Sequence, residues 1–491
     1  MRNGNPVVDH RVLFCLTTIS EGLLTLFTEN SMAKEIVKPK EFQKGVLAEI
    51  EAFNGRALVA LDPGLGKTII SLQFLRRQAA WPAIVICPAA VKSHWEHEAI
   101  TQIGVRATVA DGRTPPKDPQ IEPPKLLIIN FDILPYWVPY LKSLNPVAII
   151  VDESQNISNR GTHRSKATKE LCKRRKHVLA LSGTPLLNRP SELWATLNIV
   201  RPDLFTSFWS YAQDFCGPRL LPWGWTYNGA TNLGKLKTLL DETCMTRRLK
   251  SEVLHELPAV TNEIVVLPLS DPKEYLLAQN DYLTWLKRKG LTKVAAAEKA
   301  QRLTQIGYLR RLAARLKCRS VINWTTAFLN ETNEKIVLFC IHTKMIDALQ
   351  KNLEFKSVRI DGGVSRADRE VAVKQFQNDP KTRVMVGNIL AMGTGVDGLQ
   401  NATQNCALCE LPWRPGDVTQ AISRLHRMGQ ENHTYAAFLI GEGTIEYHLC
   451  DILQKKQSVL SHTLDGGERE EDLPIFDELE KKLAIDGGFL Q

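Results

Sequence analysis

Short apolar runs alternate with helix-like stretches in two series along the 491-residue chain. The first series consists of RALVAL, AIVICP, KLLIINF, VAIIVDE and HVLALSGT, and the second of KIVLFCIH, SVRIDG, TRVMVGN, NCALCEL and TYAAFLI. Near-continuous apolar strands separated by helices are typical of parallel sheets that helices cover on both faces. The pattern therefore predicts an α/β protein with two parallel-sheet lobes.

The segment between the two series is helical and aromatic, and we interpret it as helical protrusions and a linker rather than a third core. Pro258 marks the expected turn where the chain crosses between lobes. Met32 begins MAKE, so residues 1–31 are either an extension or a start-site artefact. The predicted divisions are an N-terminal extension (1–35), a first lobe (36–190), protrusions and linker (191–332), a second lobe (333–440), a brace helix (441–464) and an acidic tail (465–491).

A glycine-rich turn at residues 61–68, LDPGLGKT, joins the first apolar run to a helix-like segment. Backbone N–H groups in such a turn surround phosphates, the helix N-terminus adds partial positive charge, and a lysine reaches the terminal phosphate oxygens. The residues expected to hold the nucleotide here are Pro63, Gly64, Leu65, Gly66, Lys67 and Thr68, with the Thr68 hydroxyl on magnesium. Leu61 stands where the common pattern begins with glycine, so the string alone is also compatible with an ordinary strand-to-helix turn.

The apolar run from Ala148 to Val151 ends in two acids, Asp152 and Glu153. An acidic pair at the carboxyl end of a buried strand is costly unless a cation or a reaction needs it. Asp152 is expected to hold Mg²⁺ through a water, and Glu153 to orient and deprotonate the attacking water. Together, the acidic pair and the glycine-rich turn predict an ATP-hydrolysis site.

Charge and cysteine patterns limit the partners. The formal net charge is +9, and residues 285–319 contain eleven Lys or Arg and one acid, Glu298, whereas residues 465–491 contain nine acids and three bases. The basic body suits a polyanion, although the 285–319 stretch is equally compatible with a solvated helix face. Cys406 and Cys409 form a lone CxxC, which lacks the second pair of an all-cysteine zinc site. We expect no membrane span and a cytoplasmic protein, in the host cytoplasm if a phage encodes it.

In addition to the two series of predicted strands, several motifs resemble the Swi/Snf-type family of superfamily 2 helicases and translocases, over about residues 38–461. They are FQKGV at 42–46, CPAAVKSHWEHE at 87–98, NFDIL at 130–134, DESQ at 152–155 and LSGTPLLNRPSELWATLNIVRPDLF at 181–205. The resemblance implies two RecA-like P-loop NTPase lobes. It also implies that Gln43 reads adenine, that Trp95 and Asn130 belong to segments contacting DNA, and that Ser182, Thr184 and Asn188 couple the ATP state to the DNA site. Gln155 departs from the usual residue of the acidic motif, and its effect is not predictable from the sequence.

Two second-lobe motifs complete the resemblance: ILAMGTGVDGLQNAT at 389–403 and QAISRLHRMGQ at 420–430. The first implies DNA- and nucleotide-facing positions at Gly393, Thr394, Gly395 and Asp397, and the second at Gln420. Arg424 and Arg427 stand three residues apart, so on a helix they share one face and aim at one triphosphate. A guanidinium keeps its charge and binds phosphate through two N–H groups, which suits the transition-state clamp.

The resemblance implies a Mg²⁺- and ATP-dependent translocase on DNA, with duplex or branched DNA as the expected substrate and protein partners unknown. An annealing-helicase-like role at forks is expected from FWSYAQDFCGPR at 208–219, and the minimal layout favours a bacterial or phage protein. Two alternatives stay open. One is a strand-separating DNA or RNA helicase whose separating pin is a hairpin too short to recognise, and the other is a nucleic-acid-binding scaffold with an inactive ATPase site.

Overall fold

The computed structural model describes residues 39–116, 123–183, 185, 189–221, 224–227, 229–289, 296–393, 396–453, 479 and 482, without the side chains of 285–289, 296–302 and 366. The predicted N-terminal extension therefore lies outside the described residues. So do the last part of the predicted brace helix and nearly all of the acidic tail.

The first lobe is a seven-stranded, wholly parallel sheet in the order β3-β4-β2-β5-β6-β1-β9. Its strands are β1 (Arg56–Leu61), β2 (Ala83–Cys87), β3 (Ala107–Val109), β4 (Leu126–Asn130), β5 (Ala148–Val151), β6 (His177–Leu181) and β9 (Met245–Arg248). Alternate residues of these strands enter two separate apolar clusters, for example Leu58 and Val59 on opposite faces. Burial on both faces explains why the runs are almost continuously apolar.

Nine helices accompany this sheet in the described chain. They are α1 (Glu41–Ala52), α2 (Lys67–Arg77), α3 (Lys92–Ile103), α4 (Leu134–Ser143), α5 (His163–Cys172), α6 (Pro190–Val200), α7 (Phe208–Phe215), α8 (Leu233–Thr243) and α9 (Lys250–Val253). A two-stranded antiparallel hairpin, β7 (Arg219–Leu221) and β8 (Gly224–Thr226), stands between α7 and α8. The helices cover the sheet, and the hairpin extends outside it.

The second lobe is a six-stranded parallel sheet in the order β10-β15-β14-β11-β13-β12. Its strands are β10 (Val260–Leu267), β11 (Ile336–Cys340), β12 (Lys356–Ile360), β13 (Thr382–Asn388), β14 (Asn405–Leu408) and β15 (Thr434–Gly441). Its helices are α10 (Pro272–Lys289), α11 (Ala296–Glu331), α12 (Thr343–Asn352), α13 (Arg366–Asn378), α14 (Ile389–Gly393) and α15 (Pro415–Ile422). Residues 445–453 form a further helical segment. The two-lobed α/β prediction is confirmed.

Parts of the segment 191–332, which was predicted to form helical protrusions and a linker, complete the two sheets. Strand β9 extends the first sheet beside β1, and β10 extends the second sheet beside β15. Helix α11 packs into the second lobe, where the fully buried Lys317 bonds to Glu446 at 2.6 Å and to the Leu439 carbonyl at 2.6 Å. The chain therefore crosses from the first lobe to the second between Val253 and Val260, in the neighbourhood of Pro258. The sequence pattern missed this because edge strands such as VTNEIVVL mix polar and apolar positions.

Basic side chains of helix α11 make contacts within the second lobe, which changes the interpretation of the basic stretch 285–319. Arg310 is buried, donates a hydrogen bond to the Leu411 carbonyl and stacks its guanidinium 4.2 Å from the ring centroid of Trp413. Arg315 is exposed and paired with Glu274, and Arg311 is exposed. The net charge of this stretch is therefore no measure of a free basic surface, since Arg310 is committed to packing within the lobe.

Candidate active site

The glycine-rich turn lies where the sequence predicts it, between β1 and α2. Gly64 and Gly66 have φ angles of +93° and +82°, a region that side chains with a Cβ rarely adopt. A Cβ on Gly66 would lie 2.6 Å from Nε2 of Gln43, and one on Gly64 would lie 2.8 Å from Cβ of Arg427. The turn therefore needs glycine both for its backbone and for its close neighbours.

Lys67 is the first residue of α2 and turns its amine back over the loop. Nζ donates to the carbonyl of Leu61 at 2.8 Å and more weakly to that of Asp62 at 3.4 Å. Burial lowers the pKa of Lys67, while the charges of Glu153 and Asp152 oppose that shift. The amine thus lies in the field of both acids, with Thr68 one residue further along the same helix.

Asp152 and Glu153 follow β5 directly. Trp95 Nε1 donates to Oδ2 of Asp152 at 2.8 Å, and the Glu153 backbone N–H donates to Oδ1 at 3.0 Å. Burial and the neighbouring Glu153 charge raise the pKa of Asp152 to about 6. Glu153 itself has a φ of +50°, an uncommon conformation for a residue with a side chain and one found preferentially at functional sites.

Two residues expected to be near DNA are enclosed instead. The Trp95 side chain is fully buried and is used to hold Asp152, so it is a positioning group for the acid. Asn130 is also buried, at the end of β4. The expectation that these two side chains contact a nucleic-acid strand stays a prediction, and in the described conformation both are buried.

Gln155 connects Glu153 to the next strand. Its Nε2 donates to Oε2 of Glu153 at 2.5 Å, and its Oε1 accepts from the Ser182 hydroxyl at 2.8 Å. Ser182 is fully buried immediately after β6. The glutamine, whose role could not be assigned from the sequence, thus joins the acid to one of the predicted coupling residues. The other two, Thr184 and Asn188, lie outside the described residues.

Gln43 packs against the glycine-rich turn. Its Nε2 donates to the Leu65 carbonyl at 3.2 Å, and its Oε1 accepts from the Lys40 backbone N–H at 2.9 Å. The side chain is buried. In this conformation the amide uses one of its two N–H donors and one oxygen lone pair on the chain's own backbone, which leaves one donor and one lone pair for an adenine edge.

The two arginines of the second lobe share one carboxylate. Helix α15 ends at Ile422, so Arg424 and Arg427 lie in the turns after it, and the prediction that they occupy one helix face is wrong. Nη1 of Arg424 lies 3.2 Å and Nη1 of Arg427 lies 2.5 Å from Oδ1 of Asp397. Arg424 also donates to the carbonyls of Val396, at 3.2 Å, and Gly393. The pair is brought together by Asp397 and not by helical spacing.

Asp397 also receives a group from the first lobe. His94 Nδ1, on α3, lies 3.3 Å from Oδ2 of Asp397. Burial acts to raise the pKa of Asp397, but the charges of Arg424, Arg427 and His94 outweigh it and hold the pKa well below the usual range. This carboxylate was predicted to face the nucleotide, and its described partners are Arg424, Arg427 and His94. The neighbouring Gly395 and Thr394 lie outside the described residues.

Lys250 is an interlobe residue that the sequence did not reveal. Its backbone N–H donates to Oδ2 of Asp62 at 3.0 Å, and its Nζ donates to Ser423 Oγ at 3.2 Å and to the His426 carbonyl at 2.5 Å. Burial lowers the pKa of Lys250 to about 7. No sequence signal distinguishes it, because MTRRLK has the composition of an ordinary exposed basic run.

Arg424 brings the halves of the site together. The charges of Glu153 and Asp152 act on its guanidinium across the cleft, partly offsetting the burial that lowers its pKa. Within the described residues its buried Nε makes no hydrogen bond. Gln420, on α15, lies beside Gly393, with its Cβ 3.9 Å from a Cβ built there. The second lobe therefore brings a cation with a spare donor into the electrostatic field of the acids of the first.

These features fit a bound nucleoside triphosphate. The backbone at Gly183 packs closely against the phosphate loop, since a Cβ on Gly183 would lie 2.7 Å from Pro63 Cγ and 3.3 Å from Lys67 Nζ. The unbonded Nε of Arg424 is a donor suited to a phosphate oxygen. The donors are arranged around a loop and helix N-terminus that suit anions.

Two features are absent from the described residues: a membrane-spanning helix and a metal-binding cluster. In the ranges that the structure describes, no helix is long and apolar enough to cross a membrane. Across the same residues, no group of three or more His, Cys, Asp or Glu side chains is arranged to hold a metal ion. Cys406 and Cys409 are both buried, at and just after β14.

Comparisons with known proteins agree with the geometry. Residues 46–323 match the SNF2-related domain, and residues 317–429 match the Helicase conserved C-terminal domain. The SWI/SNF-related matrix-associated actin-dependent regulator of chromatin subfamily A-like protein 1 of Xenopus laevis is 33% identical over 417 residues, covering 83% of this chain and 42% of the relative. The DNA annealing helicase and endonuclease ZRANB3 of Homo sapiens is 29% identical over 479 residues, covering 92% and 42%.

The chain thus spans under half the length of these two relatives. Among solved structures, the Sulfolobus solfataricus SWI2/SNF2 ATPase core in complex with dsDNA is 22% identical, with a TM-score of 0.41, over 92% of this chain and 96% of that one. Because the domain match takes in more than half of the residues, the chain belongs to the SNF2-related, Swi/Snf-type family of superfamily 2 helicases.

Proposed function

We propose that this protein is an ATP-dependent DNA translocase that moves on duplex or branched DNA and remodels it. The observation that carries the proposal is the division of one charged site between two lobes. Lys67, Asp152 and Glu153 belong to the first lobe. From the second, Arg427 packs against Gly64 of the phosphate loop and shares Asp397 with Arg424. A site completed only by apposition of the lobes links each turnover to a change in the cleft between them.

The first lobe supplies the groups for binding and proton removal. The turn from Pro63 to Gly66 offers backbone N–H groups to the phosphates, and Lys67 exchanges its bond to Leu61 for a phosphate oxygen. Glu153 orients the attacking water and accepts its proton, while Gln155 holds the Glu153 carboxylate in place. Asp152 and Thr68 would hold Mg²⁺, which supplies charge neutralisation at the phosphates when bound.

The second lobe supplies the transition-state cations. Arg424 and Arg427 are positioned by Asp397, and the Nε of Arg424 is free to bond to a phosphate oxygen. Positive charge aimed at the transferring group stabilises the charge that develops on it. A residue set this complete argues against an inactive scaffold, because such a scaffold needs none of these positions together.

The substrate is proposed to be DNA because the names of two similar relatives refer to chromatin regulation and to DNA annealing. A mixed polar cleft of about 830 Å³ between α3 and α13, lined from both lobes, lies beside Asp397. The second candidate function is a strand-separating helicase. The exposed β7–β8 hairpin supports it, because a short hairpin can act as a strand-separating pin.

The test measures ATP turnover with duplex DNA, single-stranded DNA, forked DNA and RNA, alongside triplex displacement and strand separation. We expect turnover to rise most with duplex or forked DNA, and a triplex-forming strand to be displaced without unwinding of the duplex. Glu153→Gln provides the inactive control. Stimulation by RNA alone, or no turnover with any nucleic acid, would refute the proposal, and efficient unwinding would select the second candidate.

A further inference from the structure

The β7–β8 hairpin presents large apolar side chains to solvent. Trp209 on α7 is 38% exposed, and on the hairpin Leu220 is 66% and Trp225 is 48% exposed. We call these three residues the hairpin surface. The rings of Trp209 and Trp225 are packed edge to face, with centroids 4.8 Å apart. Clustered exposed aromatics of this kind mark contact sites on soluble proteins.

The hairpin surface is anchored to the first lobe through a ladder of rings. Tyr227 contacts Trp209 at 6.1 Å and Phe208 at 4.9 Å between centroids, and Phe208 contacts Trp194 at 5.6 Å. Trp194 is buried in α6. The inner rings thus hold the outer two in place, so little side-chain freedom is lost on binding.

Positive charge lies next to these rings. The guanidinium carbon of Arg160 lies 3.4 Å from the centroid of Phe208, and Lys169 Nζ lies 5.3 Å from that of Trp194. Residues 160–176, which include α5, contain eight Lys or Arg and one acid, Glu170. Among them Arg160, Lys166, Lys169, Lys173, Arg174 and Lys176 are exposed. The neighbourhood therefore suits a polyanion better than an apolar protein surface.

Aromatic faces beside a basic track are the features that bind single-stranded nucleic acid, because bases stack on the rings while phosphates meet the cations. Paired bases inside a duplex have no free face for such stacking. The elements involved are also tied to the active site, since Arg160 follows the acids at the end of β5 and α6 follows the segment after β6. A strand held here would be held by the lobe that contains the catalytic acids.

We propose that the hairpin surface and the basic side chains of 160–176 form a binding site for unpaired DNA bases, used when the translocase works at a junction between duplex and single strands. The inference rests on the proposed function and names the DNA structure that it acts upon. It assigns the hairpin to holding an open strand next to the duplex on which the lobes move.

The test compares a fluorescent oligothymidylate with an abasic strand of equal phosphate number, by anisotropy titration. Wild-type protein should bind the oligothymidylate more tightly. Trp209→Ala with Trp225→Ala should weaken that binding about tenfold and leave the abasic strand unchanged, since stacking needs a base. The Phe versions of both should retain most of the affinity. Tyr447→Ala, at an aromatic residue 60% exposed in the second lobe, is the matched control.

The basic half of the site has its own readout. Lys166→Gln with Lys173→Gln should reduce the slope of log affinity against log salt by about 1.4 on both strands, because two phosphate contacts are lost. An unchanged slope would remove these lysines from the site and overturn this half of the proposal.

Three results overturn the stacking half. They are an unchanged affinity in the double Ala variant, an equal loss on both strands, and a loss in the Phe variant as large as in the Ala variant. The first would leave the hairpin surface to a protein partner. ATP turnover with duplex DNA should stay within about twofold of wild type in all variants. If wild type itself shows no such turnover, the proposed function fails while the strand comparison still decides the binding site.

Discussion

The two lobes share one parallel-sheet architecture but hold their halves of the site in different ways. In the first lobe, functional groups follow strand ends and are fixed by neutral or backbone partners, such as Trp95 on Asp152 and Gln155 on Glu153. In the second lobe, Arg424 and Arg427 lie in turns and are fixed by one charged partner, Asp397. The acids of the first half are thus held by hydrogen bonds within their own lobe, whereas the second half depends on an ion-pair cluster that also contacts the first lobe.

This difference suggests a division of labour. Groups fixed to strand ends keep their geometry through a cycle, which suits binding and proton transfer. Cations held by a shared carboxylate and reaching across a cleft can be withdrawn when the lobes separate, which suits control of turnover. Changes in the first lobe should therefore alter nucleotide binding or the chemical step directly, and changes in the second should alter turnover with little effect on nucleotide affinity.

The largest expected effect comes from removing the cation that crosses the cleft. Arg424→Gln should lower DNA-stimulated turnover by about 10³-fold or more, because an arginine supplied to a transferring phosphoryl group contributes on that scale. ATP affinity measured without DNA should change by less than about threefold. Arg383→Gln, at an arginine of β13 that bonds to backbone carbonyls, is the control for loss of a second-lobe guanidinium. A large loss of ATP affinity in Arg424→Gln would contradict the division.

The next effect tests the acid of the first lobe. Glu153→Gln should keep ATP binding and lower turnover by about 10²- to 10⁴-fold, because the amide cannot take the water's proton. Steady-state turnover and nucleotide binding would be measured on the same preparation. Glu170→Gln, at an exposed acid on α5, should leave turnover unchanged. Near-normal turnover in Glu153→Gln would refute the assigned base.

A smaller effect is expected at the shared carboxylate. Asp397→Asn should lower kcat about tenfold with little change in KM, because two adjacent guanidinium groups lose the charge that holds them in register. Asp347→Asn, at an exposed second-lobe acid paired with Arg359, is the control. If Asp397→Asn left kcat unchanged, the arginines would have to be positioned by the backbone carbonyls alone.

The smallest expected effect concerns stability rather than rate. Burial and Glu153 raise the pKa of Asp152 to about 6, above the ordinary 3.8. The folded state therefore binds this proton more tightly than the unfolded state, and stability is lost as pH rises through about 6. Without Mg²⁺, the free energy of unfolding of Asp152→Asn relative to wild type should increase by on the order of 1 kcal/mol from pH 4 to pH 7. The hydrogen bond that the amide nitrogen cannot accept lowers stability equally at both pH values, so a difference between the two proteins that does not change with pH would contradict the assignment.

Much of the site was predictable because its residues are local in sequence. The glycine-rich turn with Lys67, and the acids after the run 148–151, each combine a strand end with a specific residue type over a few positions. Phosphate binding needs contiguous backbone N–H groups, so its signature is contiguous as well. The roles of these residues remain predictions that the experiments above test.

The errors arose where a partner is distant along the chain. Trp95 was expected in a segment that contacts DNA, and its side chain is hydrogen-bonded to Asp152, 57 residues away. Arg310 was counted in a basic stretch, and its side chain is hydrogen-bonded to Leu411, 101 residues away. Lys250 carried no signal, although it contacts Ser423 across the cleft. Spacing predicted a shared helix face for Arg424 and Arg427, whereas their common partner is Asp397.

By itself, the sequence determined the two-sheet architecture, the family and the chemical identity of the site residues, because strand hydrophobicity and phosphate-loop chemistry are written in short segments. The tertiary structure alone decided which sheets β9 and β10 extend, and which partners Arg310 and Lys250 bind. It also decided how the exposed rings of Trp209 and Trp225 come together. The physical reason is that burial and ion pairing depend on groups far apart in the chain, and only folding brings those groups within contact distance.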